Sequence, residues 1–429
     1  MRTRDITAIG FTAFALFLGA GNLIFPPLLA QQAGQHWLTA MSGFLLSAVG
    51  LPALTLCVLG RLPSVAALTD ALPHWLRNGF WLLVFATLGP AFVLPRAVTV
   101  AYEMGLAPFI DTDALLPFSI AFCGLSLLLA LKPGKLVDII GKFMTPALIL
   151  MLATLVIAAI LSPQGAPQAA IERYQSGALV NGLLEGYMTL DAIAAVAFGW
   201  VIVHAIKQRG VNDRREIRRY SDAVAGIYVV LMATCYLAMG YLGATASDIA
   251  PQAANGGYIL TQYAATVLGP VGQALLGAIT LTACLTTIVG LTNANAEYYQ
   301  NNHGVAFPRC AALVLLLTAL VSNVGLEQLI RFSLPLILTL CPIAIALVLA
   351  AGLSLNRHRQ LYLLVVTMSL FGCIDALAVL ELVPASLHQS LSLWLPLYPQ
   401  HLSWLLPCLL LLGALAIARH RQQSLCTQV

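Results

Sequence analysis

Long apolar runs separated by short polar connectors set the architecture of this chain. A helix needs about 20 mostly apolar residues to cross the hydrocarbon of a bilayer. Such runs fall at about 6–30, 37–60, 79–102, 114–132, 143–162, 184–206, 220–243, 268–298, 309–325, 329–353, 361–383 and 402–418. They predict an all-α polytopic membrane protein with twelve transmembrane helices, forming a single transmembrane domain over 1–429. The eighth run is long and takes in loop residues at one or both ends. The longest connectors outside the cytoplasm are 163–183 and 244–267. Within the second, Ala253 to Val267 reads either as a short surface helix over a cavity mouth or as a plain polar connector.

The first run is poorly made for a plain helix. Gly19-Ala20-Gly21-Asn22-Leu23-Ile24-Phe25-Pro26-Pro27 places two glycines, an asparagine and a double proline close together. Glycine weakens a helix, and proline removes a backbone donor and crowds the preceding turn. Backbone groups released at bilayer depth cannot face lipid, so the segment must line a polar cavity. The expectation is a discontinuous helix whose broken middle binds a small ligand or ion. The sixth run is weakened as well, at Gly186 and Thr189, and carries Asp191 near mid-depth. A buried carboxyl group there either faces a substrate's amino group or a cation, or is protonated and only hydrogen-bonded. Glu185 lies nearer the outer surface and has a structural role.

Composition agrees with a membrane protein: 60% of residues are hydrophobic and 9% charged, against about 25% charged in soluble domains. The mean hydropathy is +0.88. The net charge of +4 and the lack of a basic patch interleaved with aromatics exclude a nucleic-acid partner. What matters is where the charge sits. With the N-terminus cytoplasmic, all of the 21 basic residues except Arg96, Arg173 and Arg331 fall on the cytoplasmic side. Lys132, Lys135 and the run from Lys207 to Arg219 are among them. That split places both termini in the cytoplasm and requires an even number of spans. Arg2 and Arg4 before an apolar run imitate a signal peptide. The run continues through Ile24 and Phe25 and further spans follow, so it reads as a retained first span. The nine cysteines are scattered without CxxC or Cys/His spacing, and read as small buried apolar residues rather than a metal centre.

Polar residues within spans are the functional candidates. Arg96 and Glu103 follow Gly89-Pro90 and Pro95 and lie seven apart, so one helical face carries both. They form a structural ion pair, or Glu103 lies at the outer interface; for Arg96, structural and functional roles both stay open. The eighth run carries Thr282, Thr286, Thr287, Gly290, Thr292, Asn293 and Asn295. Val289 to Asn293 is denser in polar groups than back-bonding explains, and its side-chain oxygens suit a hard cation. Pro335 and Pro342 predict a kinked tenth span. Most histidines flank spans; His204 is either a proton site or an interfacial residue. No Ser/His/Asp set, HExxH, Walker motif or dinucleotide fingerprint is visible, so neither an enzyme nor a bound cofactor is expected.

Phe11-Thr12-Ala13-Phe14-Ala15-Leu16-Phe17-Leu18 followed by Gly19 to Pro27 resembles the opening of the bacterial branched-chain amino acid carriers. So do Gly89-Pro90 with Pro95-Arg96-Ala97-Val98-Thr99-Val100, Pro133-Gly134-Lys135-Leu136, and Asn181-Gly182 through Gly186-Tyr187-Met188-Thr189-Leu190-Asp191. Val289-Gly290-Leu291-Thr292, Val321-Ser322-Asn323-Val324-Gly325-Leu326 and Gln328-Leu329-Ile330 extend the likeness along almost the whole chain. The resemblance implies a symporter of the inner membrane that takes up leucine, isoleucine and valine with a cation, in studied members mostly sodium. It further implies two five-span inverted repeats, over 6–162 and 184–353, with spans one and six broken at the substrate site. The two helices over 361–418 lie outside the repeat. On this likeness Gly19, Ala20, Gly21 and Asn22 bind substrate, the amides of Ala20 and Gly21 taking its carboxylate. Thr189 and Asp191 supply the span-six side. Sodium would be held by carbonyls of Ala15, Leu18 and Val289, the Thr292 hydroxyl, and Asn293 where the wider fold of amino acid carriers commonly has serine. The alternatives are a proton-coupled carrier of another small neutral amino acid, or a major-facilitator carrier, although no long central loop follows span six.

Overall fold

The computed structural model describes residues 2–131, 140–251, 253–355 and 357–426, and every regular element among them is helical. Lys132 and the segment Pro133-Gly134-Lys135-Leu136 lie outside the described residues. In chain order the helices are α1 (Thr3–Phe17), α2 (Ala20–Ala33), α3 (Trp37–Leu45), α4 (Leu51–Leu59), α5 (His74–Ala86), α6 (Val93–Gly105), α7 (Leu115–Ala130), α8 (Thr145–Leu161) and α9 (Glu172–Gln175). They continue as α10 (Ala178–Tyr187), α11 (Asp191–Gln208), α12 (Arg214–Ala244), α13 (Gly256–His303), α14 (Phe307–Val321), α15 (Leu326–Gly352), α16 (His358–Val379), α17 (Ala385–Trp394) and α18 (Leu405–Cys426). Among the described residues, 9 helical stretches are long and apolar enough to cross a membrane; Leu115–Ala130 and Leu405–Arg419 are shorter apolar helices. Leu150, Ile157 and Leu161 of α8 turn large apolar side chains outward, as a lipid-facing helix does. The chain is a multi-pass membrane protein.

It divides into two compact units, Met1–Gly60 with Phe85–Arg331, and Arg61–Val84 with Phe332–Val429. In the first unit the opening run is two helices, as expected, but the break is shorter than the sequence suggested. It takes only Leu18 and Gly19, the latter extended at φ −105° and ψ −166°. Pro26 and Pro27 lie inside α2. The fixed φ of proline suits a helix; what it removes is the N–H owed to the carbonyl one turn earlier, at Asn22 and Leu23.

Around this break the helices approach closely. Gly43 of α3 meets the backbone at Leu179 and Gly182 of α10 meets the backbone at Ala40, so neither position leaves room for a Cβ. Small residues allow such contact between helices in a membrane. The Ser47 hydroxyl donates to the Leu183 carbonyl there (2.7 Å). The Phe17 ring lies 4.9 Å from that of Phe198 and 4.6 Å from that of Tyr228. Elsewhere in the unit α6 and α13 run antiparallel, with Gly105 against Leu281 and the rings of Phe85 and Tyr298 stacked at 4.3 Å.

The connectors are shorter than the hydropathy pattern implied. α10 begins at Ala178, inside the expected loop 163–183. The segment 253–267 is helical from Gly256, capped by the Asn255 side chain accepting from the Tyr258 amide (2.9 Å). It bends into the eighth span at Gly269, whose φ of +60° is left-handed, just before Pro270. In the second unit, α17 lies between the last two long helices where only a connector was expected. There the Asp375 carboxyl group accepts from the Ser403 amide (3.1 Å).

Candidate functional site

Two helix breaks face each other at the centre of the first unit. The second separates α10 from α11. Leu190, just before α11, has φ +69° and ψ 6°. A left-handed conformation costs an ordinary L-residue about 1–2 kcal/mol, so packing must hold it there. Thr189 secures the turn: its hydroxyl donates to the Gly186 carbonyl (2.8 Å) and accepts from the Asp191 amide (3.3 Å). Asp191 therefore opens α11, and one of its carboxyl oxygens accepts from Asn22 Nδ2 (3.0 Å) and from the Tyr236 hydroxyl of α12 (2.9 Å).

The carbonyls left by the end of α1 are nearly all accounted for. Phe14 O accepts from the Leu18 amide (2.9 Å) and Phe17 O from Asn22 Nδ2 (2.5 Å). Ala15 O accepts from the Thr286 hydroxyl (2.8 Å) and Leu16 O from the Thr287 hydroxyl (2.9 Å). Those two threonines, rather than the expected Thr292 and Asn293, bring the eighth span to the break. Among the described residues, Thr292 Oγ1 and both side-chain polar atoms of Asn293 make no hydrogen bond, and Thr292 is about 9 Å farther along the helix axis than Thr286. Thr286 also donates to the Ala283 carbonyl (2.8 Å), and Val289 lies about 4.5 Å farther along the helix axis than Thr286. The register is set by packing: Gly290 sits against Leu16 and Phe198, with no room for a Cβ.

Arg96 completes the site. It is 4% exposed, as is Asp191. Its guanidinium donates to the Met188 carbonyl (3.3 Å) and the Thr189 carbonyl (3.1 Å), two groups released by the second break. It also stands over the Phe25 ring at 5.7 Å and so close to Gly21 that a Cβ there would lie 2.9 Å from Nη2. Glu103 does not share this site; it lines a separate cavity with Met104, Asn255 and Tyr258. Glu185 pairs with Arg173, in keeping with a structural role. His204 meets Gln208 at the exposed end of α11 (2.9 Å).

The central cavity collects Gly19, Ala20, Gly21, Asn22, Thr189 and Asp191 with Arg96 and Thr287. Leu16, Phe17, Val93, Ala97, Phe198 and Leu291 give it an apolar wall. Its free space is about 20 Å³, room for about one water. Toward the start of α1, Arg209 pairs with Asp5 (2.8 Å) and Trp200 donates to Glu297 (2.5 Å). A guanidinium, a carboxyl group and the opening N–H groups of α2 around one apolar cavity are the partners a small zwitterion with an apolar side chain requires.

Tyr236, Thr286 and Thr287 were not singled out in this role by the sequence. A buried tyrosine hydroxyl needs a partner, which is the one signal Tyr236 offered.

A model of the family described as "Branched-chain amino acid transport protein" matches residues 2–422. The branched-chain amino acid transport system 2 carrier protein of Pseudomonas aeruginosa is 40% identical over 94% of this chain and 93% of its own. The branched-chain amino acid permease BrnQ of Haemophilus influenzae is 37% identical over 96% of each. Among solved structures, a mutant manganese transporter of Eremococcus coleocola superposes with a TM-score of 0.62 at 14% identity, over 97% of this chain and 95% of that one. That likeness concerns the fold alone.

Proposed function

Because the chain belongs to the branched-chain amino acid transport protein family, we propose that it is a secondary active symporter importing leucine, isoleucine and valine across the bacterial cytoplasmic membrane, driven by sodium. The observation that carries this reading is the pair of buried, oppositely charged side-chain types, Arg96 and Asp191, on one small apolar cavity. The substrate carboxylate takes the Ala20 and Gly21 amides and the Arg96 guanidinium; its ammonium faces Asp191, steadied by Asn22 and Tyr236. The aliphatic side chain lies against Val93, Phe198 and Leu291. An apolar pocket separates side chains differing by one methylene by only about 1–3 kcal/mol, so the three amino acids compete. Sodium takes the carbonyls of Ala15 and Leu18 with the hydroxyls of Thr286 and Thr287, a hard-oxygen set in line with its preference.

In this reading the helices make twelve crossings. The pairs α1–α2, α3–α4, α5–α6 and α10–α11 count as one each, the short α7 and α18 are included, and α9 and α17 are not crossings. The distribution of basic residues supports cytoplasmic termini. The placement of breaks in the first and sixth crossings supports an inverted repeat of spans one to five and six to ten. The test is leucine uptake into proteoliposomes under an imposed sodium gradient, with isoleucine and valine as competitors. Accumulation only with sodium, inhibited by both competitors, is the expected result. Accumulation driven equally well by a proton gradient without sodium would overturn the coupling, and indifference to the competitors would overturn the substrate class.

A further inference from the structure

A second group of buried polar atoms lies away from the central cavity, where the π turn Thr87–Ala91 meets α13. Gly89 in that turn has φ −91° and ψ −127° and is followed by Pro90. Its lack of a side chain is what admits Asn295, since a Cβ on Gly89 would lie 2.9 Å from Asn295 Oδ1. The Asn295 amide nitrogen donates to the Leu291 carbonyl (2.9 Å), while Oδ1 has no partner among the described residues. Thr292, three residues earlier and on the same helical face, has a hydroxyl equally unpartnered among them, and so has Thr87 in the π turn. All three are sealed from solvent, with relative exposures of 0% for Thr87 and Thr292 and 1% for Asn295.

These hydroxyls depart from the habit of many buried hydroxyls in the described residues. Thr280, Thr318 and Ser126 each donate to the carbonyl four residues back, the usual solution in an apolar helix. A buried polar group left open marks a place for water or an ion. The chemistry at this place has one sign. The two hydroxyl oxygens and the amide oxygen belong to the two stretches that meet here, one of them directly after the end of α5 at Ala86, and the last carbonyls of a helix carry the negative end of its dipole. Pro90 offers no N–H to the carbonyl of the preceding turn. Glu297, the carboxylate two residues past Asn295, is bonded to Trp200. Neutral oxygens at an electronegative helix end suit a hard cation, and without a carboxylate to offset a second charge they suit a monovalent one.

We propose that Thr87, Thr292 and Asn295 form an internal site for one sodium-sized monovalent cation, joining the π turn of the third span to the eighth span. It is separate from the ion set at Thr286 and Thr287, from which Asn295 lies about 13 Å along α13. The test is direct binding of radioactive sodium to the purified full-length protein in detergent, without amino acid. Binding is read rather than transport, so the outcome is distinct from success or failure of the sodium-driven uptake reading. Wild type is expected to bind two ions per chain, and Thr286→Val one. Asn295→Leu and Thr292→Val are each expected to lose the other ion or weaken it at least tenfold. Thr292→Ser keeps the hydroxyl and is expected to retain both ions, which separates loss of a ligand from loss of fold. Undiminished binding in Asn295→Leu and Thr292→Val, or no binding left in Thr286→Val, overturns the proposal; the cluster then holds water only.

Discussion

Gly21→Ala tests whether the opening turn of α2 and the Arg96 guanidinium act as one carboxylate-binding unit. The added Cβ would stand 2.9 Å from Nη2 and 3.3 Å from Cζ of Arg96. Non-bonded heavy atoms settle at about 3.5 Å or more, so the guanidinium must withdraw by about half an ångström. It now holds the carbonyls of Thr189 at 3.1 Å and Met188 at 3.3 Å, and a shift of that size away from either carbonyl takes it beyond hydrogen-bond range. A hydrogen bond from a charged donor contributes about 1.5–3 kcal/mol, which converts to a rise of roughly 10- to 150-fold in the KM for leucine. Backbone propensity acts the other way: alanine stabilises a helix by about 1 kcal/mol over glycine, so a folding defect is not expected. Initial rates of uptake into proteoliposomes, normalised to reconstituted protein, separate KM from maximal rate. Arg96→Lys, which loses the planar fork, should raise KM similarly. The double variant should then be only slightly worse than either single one, because both act on the same contact. A wild-type KM in Gly21→Ala, or full additivity of the two changes, would refute this account of the carboxylate site.

Two further substitutions address the other groups. Asp191→Asn keeps an oxygen for Asn22 and Tyr236 but loses the carboxylate, and the KM for leucine should rise about 10- to 150-fold for one charged hydrogen bond lost; isocaproate, which lacks the amine, should gain relative to leucine as a competitor, and an unaltered ratio counts against a contact with the ammonium. Thr286→Val removes an ion ligand, a loss of about 1–3 kcal/mol, so half-saturation by sodium should rise by about 5- to 150-fold. A sodium curve identical to wild type would exclude Thr286 from the coupling site.

The parts legible in the sequence are those with no competing explanation. Glycines and an asparagine inside an apolar run have no use in a plain lipid-facing helix, so Gly19, Gly21 and Asn22 marked the first break. The double proline misled because a proline within a helix loses a hydrogen bond without leaving helical dihedrals. Leu190 gave no warning, since its left-handed φ of +69° is imposed by tertiary packing and leucine has no preference for it. Polar density along the eighth span pointed to Thr292 and Asn293, but the face that meets α1 depends on helix register, here fixed by Gly290 against Leu16. Arg96 was visible as an anomaly. Its seven-residue spacing drew attention to Glu103, while its actual partners are carbonyls freed 92 and 93 residues farther along the chain.

The short break in the first span explains why ion and substrate should depend on each other. Leu18 and Gly19 separate the carbonyl end of α1 from the amide end of α2, and the proposed sodium and carboxylate positions lie on opposite sides of that gap. Sodium would take over part of the capping that Thr286 and Thr287 now give to α1; the substrate would cap α2. With about 20 Å³ of free space in the cavity, a leucine bound there as proposed would enter only when the helices around the break separate. A ligand shifts that equilibrium only by the difference in its affinity for the open and closed forms. If one movement of the break serves both ligands, sodium improves leucine binding, and by linkage leucine improves sodium binding by the same factor. Equilibrium binding of each ligand, with and without the other, measures the two factors. Thr286→Val should lower both together, because it weakens the tie between α1 and α13 rather than the contact to leucine. A variant that loses sodium affinity while the remaining coupling factor is unchanged would show that the gap does not link the two sites.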